Sequence, residues 1–298
     1  MLDGSKLAFT HPEALKRLAY SPAFEGATGD INAYGFLCSN GQRGVRVWVR
    51  PDDGVGAMMG SLHTFAKGHN LGLFTTAEVP GTVDDLAAWM NLPPDWLTVK
   101  KLEVGVNLPM SDSPQPFLHS LISHGRRPFL AIQPDGKQTH PHEFTASHDG
   151  YKVKVYNKGA YARSRGNGPL PIPTPNLLRY EIAITKPRNL SRVTGLSSVT
   201  LADLAQRPVL LALASHLQEH WHQIQRKRPM DYTKLCMADA ALLHTAQDQE
   251  FWRRMKATQP RSTCERNRTK ALRLLKKQSF TDEYDEQFAL ALMVASGG

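Results

Sequence analysis

Residues 151–161, YKVKVYNKGAY, interleave three tyrosines with three lysines. Side chains alternate across an extended strand, which places Lys152, Lys154, Tyr156 and Lys158 on one face. A phenol between two ammonium groups suits nucleophilic attack on phosphate. Tyrosine carries its proton near neutral pH, with a pKa of about 10. Nearby positive charge favours the phenolate and neutralises the charge that builds at phosphorus. Such an attack leaves a covalent phosphotyrosine and a free 3′-hydroxyl. The same stretch also reads as an ordinary edge strand with a solvated basic face.

Carboxylates supply a second set of candidates. Glu103 and Asn107 lie four residues apart on the polar side of LEVGVNL (102–108), and Glu181 shares a face with Arg179 in LRYEIAI (178–184). A buried acid needs a partner. One such partner is Mg²⁺ or Mn²⁺, which takes oxygen ligands from two strands; Arg179 or a lysine is the other. Seven of the twelve histidines fall into three local groups: His63 with His69, His140 with His142, and His216, His220 and His222 in HLQEHWH. In the last, the acid Glu219 sits beside the second histidine of the helical pair rather than the first, unlike a zinc protease. The chain has no GxxxxGK[ST] loop and no GxSxG elbow.

The elements expected to position these residues are strands first and helices later. Val45, Val47 and Val49 alternate with Arg46, Trp48 and Arg50, and Pro51 to Gly54 reads as the following turn. Leu102–Leu108, Phe129–Ile132, Tyr151–Asn157 and Leu178–Ile184 are the other expected strands. The Gly- and Pro-rich RSRGNGPLPIPTPN between the last two reads as an irregular loop. Thr82 with Asp85, and Thr200 with Asp203, have capping-box spacing and predict helix starts. Leu213, Leu217, Trp221 and Ile224 predict one apolar helix face, with further helices near 238–256, 262–278 and 281–295. The expected class is α+β: a largely antiparallel sheet with flanking helices over 1–195, then a basic helical DNA-binding region over 196–298.

Composition narrows the partner. The 298 residues carry a formal net charge of +9, with a sequence pI near 9.5. From Phe251 to Gln278 there are ten basic residues and one acid, Glu265. Like charges so closely packed repel, and phosphate contact with counterion release gives them a purpose. DNA is the expected partner, with Arg261, Arg266, Arg268, Lys270 and Arg273 as its contacts. Three dispersed cysteines and no CxxC pair argue against a zinc ribbon or a disulfide framework. With no apolar run of membrane-spanning length, a cytoplasmic location and no membrane partner are expected.

The ordered set GSLHTFAKGHNLGLFT, LEVGVNLP, YKVKVYNKG and LLRYEIAITK, with LADL soon after, resembles the rolling-circle replication initiators of filamentous-phage and plasmid type. It covers roughly residues 45–205. The resemblance implies a Rep/HUH-like nicking domain that cuts one strand at an origin through a phosphotyrosine, assisted by Mg²⁺ or Mn²⁺. Carried to this chain, Tyr156 is the nucleophile and Tyr151 the runner-up. Lys154 and Lys158 hold the scissile phosphate, and Glu103, Glu181 and Asn107 are metal or water-positioning candidates. His63 and Asn70 have a general active-site role. The His-hydrophobic-His pair of HUH nicking enzymes is matched only by His140–Pro141–His142, in a segment that reads as a loop. A second copy of the chain and host replication proteins are further expected partners. The alternatives are a DNA-binding regulator without the chemistry, its basic segment forming a helix-turn-helix-like module, and a related tyrosine relaxase or transposase.

Overall fold

A computed structural model describes the chain except for residues 1, 12, 20, 22–27, 33–34, 41–44, 50–55, 69–73, 133–142, 165–175, 228–231, 278–282 and 297–298. The chain enters through β1 (Leu2–Phe9) and α1 (Ala14–Ala19), then forms a meander of β2 (Thr28–Asn32), β3 (Gly35–Asn40), β4 (Val45–Val49) and β5 (Gly56–Ser61). Helices α2 (Leu62–Lys67) and α3 (Val79–Met90) precede β6 (Thr98–Pro109). α4 (Gln115–Ser120) leads into the short β7 (Leu121–His124), β8 (Arg127–Pro128) and β9 (Leu130–Ile132). β10 (Glu143–His148) and β11 (Tyr151–Asn157) form a hairpin, α5 (Lys158–Ser164) follows, and β12 (Leu177–Ile184) returns. The remainder is α6 (Pro187–Thr194), α7 (Leu201–Leu204), α8 (Arg207–Trp221), β13 (Ile224–Arg226), α9 (Met237–Thr245), α10 (Gln249–Thr258), α11 (Arg261–Lys277) and α12 (Glu283–Ala295).

Ten of the described strands form one sheet in the order β2-β3-β4-β5-β1-β6-β12-β11-β10-β9, each antiparallel to its neighbour. The four strands read from period-two patterning near 45–49, 102–108, 151–157 and 178–184 all belong to it. β1, β5 and β10 had no such signal: GAMMGS in β5 carries no β-branched residue. A smaller sheet, β13-β7-β8, lies beside it.

Alternation sorts the two faces of the sheet. Leu102, Val104, Val106 and Leu108 of β6 join Tyr180, Ile182 and Ile184 of β12 in the core. Full burial of such a side chain contributes about 1.5–3 kcal/mol. β12 is buried at every position, so Arg179 and Glu181 on its other face are buried too. Tyr180 meets Trp221 and Phe288 edge-on, those two rings stack with centroids 4.4 Å apart, and Tyr180 Oη donates to the Leu217 carbonyl at 3.3 Å. The core therefore includes α8 and α12, and the boundary expected at 195/196 does not coincide with a gap in it.

Local signals account for several helix ends. Thr200 and Asp203 form the expected capping box at α7. The other box is displaced: Thr75 and Glu78 make it, with the Thr75 backbone N–H donating to the Glu78 carboxylate at 2.9 Å. Thr82 lies inside α3, its hydroxyl donating to the Glu78 carbonyl at 2.8 Å. Ile224 belongs to β13 rather than to α8, and the helix expected over 238–256 is two, α9 and α10, broken at Ala246–Asp248. Among the described residues no helix is long and apolar enough to cross a membrane.

Candidate active site

Three adjacent strands build a polar cluster on the sheet face opposite the core. Their register sets Lys154 of β11 against Glu181 of β12, Tyr156 against Arg179, Glu181 against Gly105 of β6, and Arg179 against Asn107. Tyr156 therefore reaches Glu181 diagonally, and its Oη donates to Glu181 Oε2 at 3.3 Å. Arg179 Nε donates to the same oxygen at 3.3 Å, and Arg179 Nη1 to Asn107 Oδ1 at 3.2 Å. Lys154 Nζ donates to Glu181 Oε1 at 2.8 Å and to Glu103 Oε1 at 3.3 Å, and Lys101 Nζ to Glu103 Oε1 at 2.6 Å.

The charges in this cluster sustain one another. Burial disfavours the charge on Glu103, but Lys154 and Lys101 outweigh it and hold its carboxyl below the ordinary range. Burial likewise opposes the Lys154 ammonium, yet Glu181 and Glu103 raise its pKa. Lys154 is charged at any pH where the carboxylates are. Gly105 makes the arrangement possible: a Cβ there would lie 2.4 Å from the Tyr180 carbonyl oxygen and 2.6 Å from Glu181 Cβ.

Glu103 and Glu181 both accept from Lys154, so the cation they share is that ammonium. Of the partners weighed for Glu181, a divalent metal on one side and Arg179 or a lysine on the other, Arg179 and Lys154 both donate to it. Among the described residues no group of three or more His, Cys, Asp or Glu side chains is arranged to hold a metal ion. Lys158 departs from the strand-face expectation. β11 ends at Asn157, whose Oδ1 accepts from the Ala160 backbone N–H at 2.9 Å, as an asparagine does at a helix start. Lys158 is thus the first residue of α5 and is 1% exposed. The turn of α5 brings Tyr161 to Tyr156, ring centroids 5.8 Å apart. That neighbour was not legible from alternation, because the strand had ended.

Tyr151 lies on the core side of β11, stacked on His148 with centroids 4.5 Å apart, and burial raises its pKa. His63 is buried in α2, stacked on Phe74 at 5.2 Å. α2 starts with the Ser61 hydroxyl accepting from the Thr64 N–H and ends at Gly68, whose φ of 75° favours glycine. Asn70, His69, His140 and His142 lie outside the described residues.

A second histidine group was missed in part. His216 and His220 of α8 meet His124 of β7 and His148 of β10. His148 Nε2 lies 2.8 Å from His124 Nδ1, and His124 Nε2 lies 3.0 Å from His220 Nδ1. Each contact needs one N–H and one lone pair, so the chain is satisfied when the rings are neutral. Burial first, and the neighbouring rings second, push His124 down to about 4 and His220 down to about 3. The signal in sequence was only the i, i+4 spacing of His216 and His220; His124 and His148 stand alone in their segments.

A scan against protein-family models matches none, and a search of curated proteins returns no match.

Proposed function

We propose that the chain is a rolling-circle replication initiator that nicks one DNA strand through Tyr156. The observation that carries this reading is the Tyr156 hydroxyl donating to a buried carboxylate, Glu181, itself held by Lys154 and Arg179. Glu181 accepts the phenolic proton as Tyr156 Oη bonds to phosphorus. The bond from phosphorus to the 3′ oxygen breaks, and that oxygen leaves as a 3′-hydroxyl after taking a proton from water. The 5′ phosphate stays on Tyr156. Lys154 and Arg179 stabilise the added charge on the phosphoryl oxygens.

Mg²⁺ or Mn²⁺ belongs to this proposal. The donor set suits a hard ion, since the carboxylates of Glu103 and Glu181 turn towards one cation position. Glu103 and Glu181 would hold the ion in place of the Lys154 ammonium, and Asn107, whose Oδ1 accepts from Arg179, is the further candidate ligand. It would supply further neutralisation of the phosphate under attack.

The test is incubation of the full chain with labelled single-stranded DNA, with Mg²⁺, with Mn²⁺ and with chelator. A denaturing gel then reads any protein–DNA adduct. The wild type should form an adduct that maps to Tyr156 and is absent from Tyr156→Phe. Tyr151→Phe should form it normally. A second reading, DNA binding without cleavage, draws on the basic surface of α11. It becomes the better one if the wild type yields no adduct with either metal.

A further inference from the structure

We infer that α9, α10 and α11 form a head that docks on duplex DNA, with the solvent-facing stripe of α11 in the major groove. This rests on the DNA-handling part of the reading above but not on its cleavage chemistry.

The three helices are an insertion. They leave the main body after β13 and return at α12, and these flanking elements are joined to each other by Arg226 and Asp285 at 3.1 Å. α12 then re-enters the main core through Phe288, Leu292 and Ala295. The inserted unit has its own small interior of Leu243, Cys264, Ala271 and Leu274. Cys264 Sγ donates to the Met255 carbonyl at 3.2 Å, which seats α11 on α10. Asp239 binds Lys270 at 2.6 Å, which ties α9 to α11. Trp252 Nε1 donates to the Ala246 carbonyl at 2.9 Å and closes the turn between α9 and α10.

α11 turns Cys264, Ala271 and Leu274 inward, so the exposed side carries Ser262, Arg266, Thr269, Lys270 and Arg273. That is a stripe at i, i+4, i+7, i+8 and i+11, one face of a helix. Seventeen residues make α11 about 25 Å long, and a helix about 10–12 Å across fits a major groove about 12 Å wide.

Charge pairing separates α11 from α10. On α10, Arg253 and Arg254 are both held by Glu250, at 2.7 and 2.9 Å, within the same helix. On α11, Arg266, Arg268 and Arg273 have no carboxylate partner among the described residues, and Glu265 is turned to Arg261 at 3.6 Å. Uncompensated guanidinium groups along one helix call for a polyanion.

The stripe chemistry selects paired DNA over an unpaired strand. Guanidinium and hydroxyl groups suit phosphates and base edges in the major groove. Single-strand platforms need rings on which bases stack, and this stripe has none. The paired rings Tyr156 and Tyr161 lie instead beside the sheet cluster. The two DNA forms thus have separate places on one chain.

The experiment measures binding of the full chain, by fluorescence anisotropy over a salt series, to a fully paired duplex and to one of its strands. Arg266→Ala with Arg273→Ala should weaken duplex binding about tenfold or more and lower the salt slope by about 2. Binding to the single strand should be nearly unchanged. Arg266→Lys with Arg273→Lys should keep the slope, which separates lost charge from a damaged fold. An unchanged duplex slope in the alanine variant, or an equal loss on the single strand, overturns the inference. Selective duplex loss with no adduct from the wild type sustains this inference while the cleavage reading falls.

Discussion

Tyr156 Oη and Glu181 Oε2 lie 3.3 Å apart, joined diagonally across β11 and β12. Glu181 is 3% exposed, and Lys154, Arg179 and Tyr156 all donate to its carboxylate. A phenol facing a carboxylate has a ready proton acceptor. Arg179 Nε donates to the same oxygen as Tyr156, and Lys154 Nζ to the other.

Glu181→Gln keeps the size of the side chain and an oxygen for the Tyr156 hydroxyl but removes the base. Single-turnover adduct formation should slow by about 10²- to 10⁴-fold, while affinity for single-stranded DNA stays level. A Glu181→Gln protein that reacts at the wild-type rate would move the proton acceptor elsewhere.

Gly105→Ala should act on the same site without touching a reacting atom. Its new methyl meets the Tyr180 carbonyl and Glu181 Cβ at distances no side chain tolerates, so β6 and β12 must separate. Unfolding in urea should show a loss of about 1–3 kcal/mol, together with reduced adduct formation as Glu181 shifts from Tyr156. Wild-type stability in this variant would show that the two strands are not so closely apposed.

Stability should fall with acid in a window set by the histidine chain. His124 and His220 have folded-state pKa values near 4 and near 3, both depressed from 6.5, with His148 and His216 also lowered. The unfolded chain takes up these protons first, so the stability that the neutral rings contribute is complete above about pH 6.5. It is lost as pH drops towards 4 for His124 and 3 for His220, at up to about 1.4 kcal/mol per pH unit for each ring. The neighbours of the chain are Tyr151, Arg127 and Glu219, of which only Glu219 favours protonation. Urea unfolding between pH 7 and pH 5 measures the slope, and His220→Gln should reduce it by about one proton. An identical slope in that variant would show that His220 is not held neutral by the fold.

Patterns carried along a few residues were enough to read several elements. Period-two alternation located β4, β6, β11 and β12, and the Thr200–Asp203 spacing located the start of α7, because both effects are local to the backbone. The basic character of α11 and the face shared by Lys152, Lys154 and Tyr156 were equally legible. Tertiary structure decided what those residues touch. Lys154 lies 51 residues from Glu103 and 27 from Glu181, and only the β6-β12-β11 order makes its ammonium their common cation. Asn157 ended the strand by capping a helix, which buried Lys158 and brought Tyr161 round to Tyr156. His124 and His220 are 96 residues apart, and α12 returns to a core begun by β1. Neither pairing leaves a periodic trace, because burial and charge are shared among segments that meet only when the sheet closes.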